Sequence, residues 1–321
     1  MVNATALLTI GLPVHNGDVF LRAALDSILG QRFKDFIILV SDNASTDNTH
    51  EIAKEFELRD CRIKYIRQDR NLGAVENFLF VARDIRTPYF MWFACDDVMA
   101  PDFLETCINA LETNPNVGMA FTGIRNIDSL GRSIREYPNL IDFSGMPTWR
   151  TISRYLLSPE VFGKANLIYS VYRTPVVTNA LAHYGLPLSW GGDMSFVLAA
   201  IVQAGVVISS EILFYKRWVR EDDSAVIPLQ VEIETSVLNQ SCPLEHYQEY
   251  EEAMISAVAG SRFEFLTAFL MKYRRQRLMR MKRATEEDFP VQSGWVQWKG
   301  WITDVYRSGL DAFTILRGIT R

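Results

Sequence analysis

Between residues 7 and 121 the spacing of hydrophobic positions switches repeatedly between the two regular periods. Residues 7–13 (LLTIGLP) form a short apolar run suited to a buried strand, and Phe20, Ala24, Leu25, Ile28 and Leu29 then recur at helical spacing over 18–30. Residues 36–40 (FIILV) read as a second buried strand, and 47–58, introduced by Ser45 and Thr46, as a helix. Residues 62–67 alternate as a third strand, and 74–84 return to helical spacing. Residues 89–94 (YFMWFA) give a fourth strand, Pro101 and Asp102 start a helix over 102–112, and 117–121 give a fifth strand. Further on, residues 194–210 read as a buried helix followed by a strand.

Strands alternating with helices imply parallel pairing, right-handed crossovers and a sheet covered on both faces. Ligands of such sheets bind outside the carboxyl ends of the strands, so the loops after each strand carry the interest. These are PVHNGD (13–18), SDNASTDNT (41–49), RQDRNLG (67–73) and ACDDVMAPD (94–102), all expected on one edge. Packing alone does not account for four polar loops gathered there. Asp42, Asn43, Ser45 and Asp47 are also suited to an Asx turn that caps the next helix, and the two roles are compatible. Gly73 suits a turn that needs positive φ, and Asp102 reads as an N-cap.

Asp96 and Asp97 stand side by side at the end of an apolar strand. Adjacent carboxylates repel and need a cation or good hydrogen bonding. Magnesium or manganese is a usual partner and commonly shares its coordination with substrate phosphates. No GxGxxG follows the first strand and no GxxxxGK[ST] occurs anywhere, which argues against a dinucleotide-binding enzyme and excludes a P-loop.

Composition adds few restrictions. The chain has 321 residues, 48% hydrophobic and 22% charged, enough for a sizeable core in one large or two medium domains. A formal charge of −5 argues against a dedicated nucleic-acid binder. Cys61, Cys95, Cys107 and Cys242 are scattered without zinc-ligand spacing, which favours a reducing compartment. The N-terminus lacks a basic region before its apolar run, and no uncharged apolar stretch reaches the ~20 residues of a spanning helix. A cytoplasmic location is expected, with a peripheral place at the inner face of the membrane also open.

The run GLPVHNGDVFLRAALDSILGQRFKDFIILVSDNASTDNT resembles glycosyltransferase family 2, whose members have the GT-A fold. The resemblance rests on Pro13, Asn16, Ala24-Leu25, Ser27-Ile28-Leu29, Gln31, Phe33, Asp42-Asn43, Ser45, Asp47 and Thr49, on RQDRNLG, and on ACDD at the family's DxD region. His15, where the family usually has Tyr, and Arg32 depart from the pattern. The match covers about residues 7–125. It implies an α/β fold of the GT-A type: a Rossmann-like nucleotide-diphospho-sugar transferase with a mixed sheet, helices on both faces and a C-terminal helical extension. The expected division is a catalytic domain over 1–240 (donor half 1–125, acceptor half 126–240) and the extension over 241–321.

By motif, the resemblance implies that Asp42 meets the nucleobase, usually uracil, and that Pro13 and His15 wall its pocket. Asn16, Asn43 and Gly73 belong to the same nucleotide-binding set. Arg70 would approach the base and diphosphate, Asp96 the ribose or the metal's water shell, and Asp97 would coordinate Mn2+ or Mg2+. In the acceptor half, SWGGDMSFVLAAIVQAG (189–205) places Asp193 before an apolar helix, where the family's general base stands; an N-cap is the plain alternative. Gly192 replaces the usual preceding Glu. Trp190 suits either an acceptor sugar or the core. In LFYKRWVREDDSAV (213–226) Arg217 fits an Arg-x-His segment, but Val219 holds the His position, so Arg217 or Arg220 is expected to help neutralise the diphosphate.

The function so implied is inverting, metal-dependent transfer of a sugar from a nucleotide-diphosphate donor, a UDP-sugar being expected, to a glycan or lipid-linked acceptor in surface-polysaccharide biosynthesis. A nucleotidyltransferase would need a glycine-rich basic loop after the first strand, which PVHNGD is not. A non-catalytic sugar-nucleotide- or polysaccharide-binding protein derived from a transferase is the other open reading. At the C-terminus, KYRRQRLMRMKR (272–283) carries seven basic residues, and WVQWKGW (295–301) three tryptophans. Residues 263–301 therefore suit either peripheral contact with an anionic membrane or a helix packed on the catalytic domain. No nucleic-acid partner is expected.

Overall fold

A computed structural model describes residues 6–137, 143, 146–158, 163–218 and 246–287. The alternation read from the sequence appears as β1 (Leu8–Val14), α1 (Leu21–Leu29), β2 (Phe36–Asp42), α2 (Thr49–Arg59), β3 (Ile63–Arg67), α3 (Ala74–Phe80) and β4 (Tyr89–Trp92). Every residue of β1 is buried, as befits a central strand covered on both faces. Leu21, Ala24, Leu25 and Ile28 bury one stripe of α1 at the 3.6-residue period. Parallel ladders join β3 to β2, β2 to β1, and β1 to β4.

Beyond β4 the order departs from simple alternation. A two-residue strand β5 (Val98–Met99) precedes α4 (Phe103–Thr113), and the fifth strand foreseen at 117–121 runs on as β6 (Met119–Ile127). β6 is not the neighbour of β4. A three-residue strand β8 (Val171–Arg173) lies between them, antiparallel to both, and this makes the sheet mixed. β7 (Ser133–Tyr137) pairs only with β6. The nine-stranded sheet runs β3-β2-β1-β4-β8-β6-β9-β5, where β9 is Val206–Arg217.

The later part of the chain adds α5 (Thr148–Leu157), a 3-10 helix (Lys164–Tyr169), α6 (Thr174–His183) and α7 (Gly192–Ala204). The helix and strand expected within 194–210 are α7 and the start of β9. Helices α8 (Tyr247–Ser256) and α9 (Glu264–Glu287) pack against α7 and α5, and Tyr247, Tyr250, Met254, Leu270 and Met271 share the core of the sheet. No described helix is long and apolar enough to cross a membrane.

Two residues tie the layers together. Gln31 is wholly buried; its Nε2 donates to the Ala100 carbonyl at 2.7 Å and its Oε1 accepts from Leu104 N–H at 3.0 Å, an otherwise unpaired donor in the first turn of α4. Asn77 of α3 does the same for the strand ends, donating to the Ser41 carbonyl at 2.9 Å and accepting from the Ser41 hydroxyl at 2.6 Å.

Candidate active site

The first two polar loops form one interlocked unit. Three consecutive N–H groups of the first loop, on Asn16, Gly17 and Asp18, donate to Ser45 Oγ (2.9 Å), Thr49 Oγ1 (2.8 Å) and Asp47 Oδ2 (3.0 Å). The Ser-x-Asp-x-Thr spacing thus supplies an acceptor for each donor that the turn leaves unpaired. In return, Asn16 Oδ1 accepts from Thr46 N–H at 2.8 Å. Asn16 (φ 51°) and Ala44 (φ 57°) both hold left-handed backbone, unusual for residues other than glycine.

Asp42 is fully buried below this unit. Its Oδ1 accepts from Ser45 N–H at 2.8 Å and its Oδ2 from the Tyr65 hydroxyl at 2.6 Å, with Arg67 Nε 3.9 Å away. Burial, then Asp42 itself, pushes the Tyr65 phenol well up, so it stays a donor. Asn43 locks the third loop in place: its Oδ1 accepts from Leu72 N–H (2.7 Å), and its Nδ2 donates to Asn71 Oδ1 (2.9 Å) and the Gly73 carbonyl (3.2 Å). Asn71 Nδ2 meets His15 Nε2 at 3.2 Å. Gly73 has φ 85°, the positive value foreseen for it. The expected nucleotide-binding residues thus gather at one edge. Pro13, Asp42 and Asn43 are buried, while His15, Asn16, Arg70 and Gly73 form an exposed rim.

The paired carboxylates after β4 have unlike surroundings. Asp97 is fully buried; its Oδ2 lies 3.1 Å from Lys216 Nζ and its Oδ1 accepts from Arg217 N–H at 2.9 Å. Burial pushes its carboxyl up to about 7, against the pull of Lys216 and with a smaller push from Asp96. Burial works against the charge on Lys216, but Tyr169, Asp97 and Asp96 beside it outweigh that cost and raise its pKa, so it stays protonated. The antiparallel pairing of β5 with β9, Val98 opposite Tyr215, brings these residues together. Asp96 is half-buried, and its carboxylate bonds to no described residue. Arg217 donates through Nε to the Asp96 carbonyl (2.8 Å) and through Nη1 to the carbonyls of Asp128 (2.8 Å) and Ser129 (3.0 Å), so it fixes the backbone at Asp96. Arg220 lies outside the described residues.

Asp193 stands in the first turn of α7, where Gly191, at φ 77°, is the N-cap residue. One oxygen of Asp193 accepts from Met194 N–H at 2.7 Å; the other has no partner. Burial raises its carboxyl above the ordinary value, while the Met194 N–H, its own N–H and Lys164 oppose the shift. Trp190 packs edge-on to Tyr250 of α8, with ring centroids 5.2 Å apart. Tyr169 connects the two carboxylate regions. Its ring lies 5.3 Å from Lys216 Nζ, the partner of Asp97, and its segment packs on α7; burial raises its phenol, Lys216 opposes, and Asp97, Asp96 and Asp193 add smaller pushes upward.

Sequence reasoning missed Tyr65, Asn77, Tyr169 and Lys216. Lys216 adjoins Arg217 but belongs to no motif, and Tyr169 precedes a strand too short to show a period.

Among the described residues no three His, Cys, Asp or Glu side chains cluster as a ready-made metal cage. A divalent ion in a nucleotide site needs only one or two carboxylates, the rest being phosphate oxygens and water. The unpartnered Asp96 carboxylate fits that requirement. Asp97, with both oxygens committed and no exposure, fits it less well.

A mixed α/β sheet with polar loops and carboxylates at the carboxyl edge is the arrangement of the GT-A fold. Residues 9–167 match the family model described as Glycosyl transferase family 2 and belong to that family. An uncharacterized glycosyltransferase of Methanocaldococcus jannaschii is 26% identical over 165 residues, covering 50% of this chain and 57% of that protein. The chain thus spans little more than half the length of that relative. Among solved structures, S. aureus TarS 1–349 superposes with a TM-score of 0.60 at 14% identity, over 93% of this chain and 80% of that one. TarS has also been solved in complex with UDP-GlcNAc. The mannosyltransferase PcManGT of Pyrobaculum calidifontis, in complex with GDP-Man and Mn2+, has a TM-score of 0.50 at 12% identity, covering 95% of this chain and 87% of that one. At such identities the likeness shows the fold.

Proposed function

We propose that this chain is an inverting glycosyltransferase that moves a sugar from a nucleoside-diphosphate donor to a hydroxyl of a glycan or lipid-linked acceptor. The observation that carries the reading is the interlocking of the first three polar loops at one edge of the sheet, with Gly17 of the first packed against Cys95 beside the unpartnered Asp96 carboxylate. The family match and the UDP-GlcNAc and GDP-Man complexes of the fold neighbours support a nucleotide sugar, and TarS favours a uridine nucleotide.

In this reading the base and ribose lie along the first three loops. Pro13 and His15 wall the base, Asn43 and Gly73 hold the third loop beside it, and Asp42 supports the floor through Ser45 and Tyr65. Exposed Arg70 meets the diphosphate. A divalent ion, Mn2+ or Mg2+, would be held by Asp96 with diphosphate oxygens, and when bound it supplies Lewis-acid neutralisation of the leaving group. We assign that contact to Asp96, with Asp97 as the anion that anchors Lys216 and the Arg217 backbone. Arg217 acts by fixing the loop of Asp96 through its three carbonyl contacts.

The acceptor hydroxyl attacks the anomeric carbon from the face opposite the diphosphate. A carbon–oxygen bond forms to the acceptor, the bond to the diphosphate oxygen breaks with its electron pair, and the acceptor proton passes to Asp193. A carboxylate whose pKa is raised by burial is a better base than a solvated one. Trp190, held by Tyr250, borders the acceptor side.

The exposed face of α9 carries Phe265, Phe269 and Tyr273 beside Lys272, and exposed Arg262 precedes the helix, which supports peripheral contact with an anionic membrane and a lipid-linked acceptor, as in surface-polysaccharide synthesis. The tryptophans of 295–301 lie outside the described residues. Co-sedimentation with liposomes of rising anionic-lipid content tests this part, and binding that ignores lipid charge opposes it. The donor reading is tested by calorimetric titration with UDP, UDP-GlcNAc, GDP and GDP-mannose in Mn2+. Saturable binding of one nucleotide pair is expected, lost in Asp96→Asn or on adding EDTA.

A further inference from the structure

The 3-10 helix Lys164–Tyr169 packs against both β4 and α7. The first of these leads into Asp96, and the second carries Asp193 in its first turn. Tyr169, the last residue of the segment, has its ring 5.3 Å from Lys216 Nζ, which pairs with Asp97 at 3.1 Å, on a segment packed against the helix of Asp193.

Its ring is held rigidly. It stacks on Phe214 with centroids 5.7 Å apart and planes 12° from parallel, and Lys216 Nζ sits 5.3 Å from its centroid. Phe214 and Lys216 are alternate residues of β9, so they support the ring from one face of the strand. The hydroxyl is the part left over. Tyr65, Tyr155, Tyr172, Tyr184 and Tyr247 each donate their hydroxyl to an acceptor within the protein. The Tyr169 hydroxyl has no partner among the described residues, yet it is not among the sealed-off polar atoms that lack one. A hydroxyl that is not sealed off, on an immobilised ring and without a partner among the described residues, is suited to a ligand hydroxyl.

We propose that Tyr169 is a specificity residue for the donor sugar, its hydroxyl hydrogen-bonding a hydroxyl of the pyranose ring held between Asp96 and Asp193. The inference rests on the glycosyl-transfer reading above. A phenol hydroxyl is able to donate as well as accept. Loss of one such neutral hydrogen bond is worth about three- to tenfold in affinity.

The test is calorimetry on full-length wild type and Tyr169→Phe with UDP against UDP-GlcNAc, and GDP against GDP-mannose, in Mn2+. Tyr169→Phe keeps the stack on Phe214, so folding is preserved. The expected result is unchanged affinity for the free nucleotide and a loss of about three- to tenfold for the corresponding nucleotide sugar, matched by a rise in donor KM. No loss for either ligand, or an equal loss for both, overturns the role of Tyr169 and leaves nucleotide binding standing. A wild type that binds none of the four overturns the glycosyl-transfer reading itself, and this role with it.

Discussion

Lys216 Nζ lies 3.1 Å from Oδ2 of Asp97, joining residues 119 positions apart. The carboxylate is wholly buried, and its other oxygen is held by Arg217 N–H. The pair stabilises the far end of the sheet through charge compensation, because either partner alone leaves an uncompensated ion at the base of the site. Lys216→Met should therefore cost about 3 kcal/mol in chemical denaturation, at the low end for a broken buried pair because the Arg217 N–H remains. The double variant Lys216→Met/Asp97→Asn should lose less than the two single variants together. Additive losses would show that the two side chains are not coupled.

Asp97 and Asp96 should separate cleanly. Asp97→Asn should act chiefly on stability. Asp96→Asn should change stability by no more than about 0.5 kcal/mol, because its carboxylate bonds to no described residue. It should, however, abolish the effect of Mn2+ on donor affinity. Parallel melting and titration curves decide between them, and a metal response lost only in Asp97→Asn would return the ion to Asp97.

The Asp193 carboxyl is raised above 3.8 by burial, and the sign of its pH dependence follows. In its proposed role as base it works ionised, so kcat/KM should fall as pH drops through the raised value, and this acid limb should vanish in Asp193→Asn. Stability runs the other way. The folded state holds this proton more tightly than the unfolded chain, so the ionised form costs stability above the folded pKa, and the cost disappears below 3.8. Asp193→Asn, which keeps an oxygen for Met194 N–H, should be as stable as the wild type or more so at pH 7. A marked loss there would mean that the carboxylate is structural.

The loops themselves offer two further tests. Tyr65→Phe leaves an oxygen of buried Asp42 without its donor and should cost about 1.5–3 kcal/mol, the range for a hydrogen bond to a charged group. Denaturation within about 0.5 kcal/mol of wild type would show that Asp42 does not depend on it.

Gly17 packs the first loop against the fourth. A Cβ there would lie 2.6 Å from Val14 Cγ2 and 3.2 Å from Cys95 Sγ, one residue before Asp96. Gly17→Ala should cost about 1–3 kcal/mol by overpacking and weaken donor binding by displacing the Asp96 loop. Full donor affinity in this variant would show that the two loops move independently.

Much of this site is legible in the sequence, because its loops follow strands with clear periods. The positions of Asp42, Asp96 and Asp97 follow from β2 and β4, and the spacing of Ser45, Asp47 and Thr49 already carries the pattern that satisfies the first loop. What escapes the sequence depends on β5 and β8, two and three residues long. Strands that short have no measurable period, yet β5 sets Asp97 beside Lys216, and β8 follows directly on the segment that ends in Tyr169. The unequal burial of Asp96 and Asp97 is for the same reason invisible in an Asp-Asp pair. The contact of Trp190 with Tyr250 is equally hidden, because it comes from a helix separated from β9 by undescribed chain.

The most direct test is turnover of UDP-GlcNAc and GDP-mannose with Mn2+ by wild type and Asp193→Asn, with donor affinity measured in parallel. Wild type should release nucleoside diphosphate from one of these donors. Asp193→Asn should bind that donor within about twofold of wild type while losing on the order of 10²–10⁴ in turnover, the range for removal of a general base. Wild-type turnover in Asp193→Asn, or a wild type that binds the donor and never cleaves or transfers its sugar, would contradict the account.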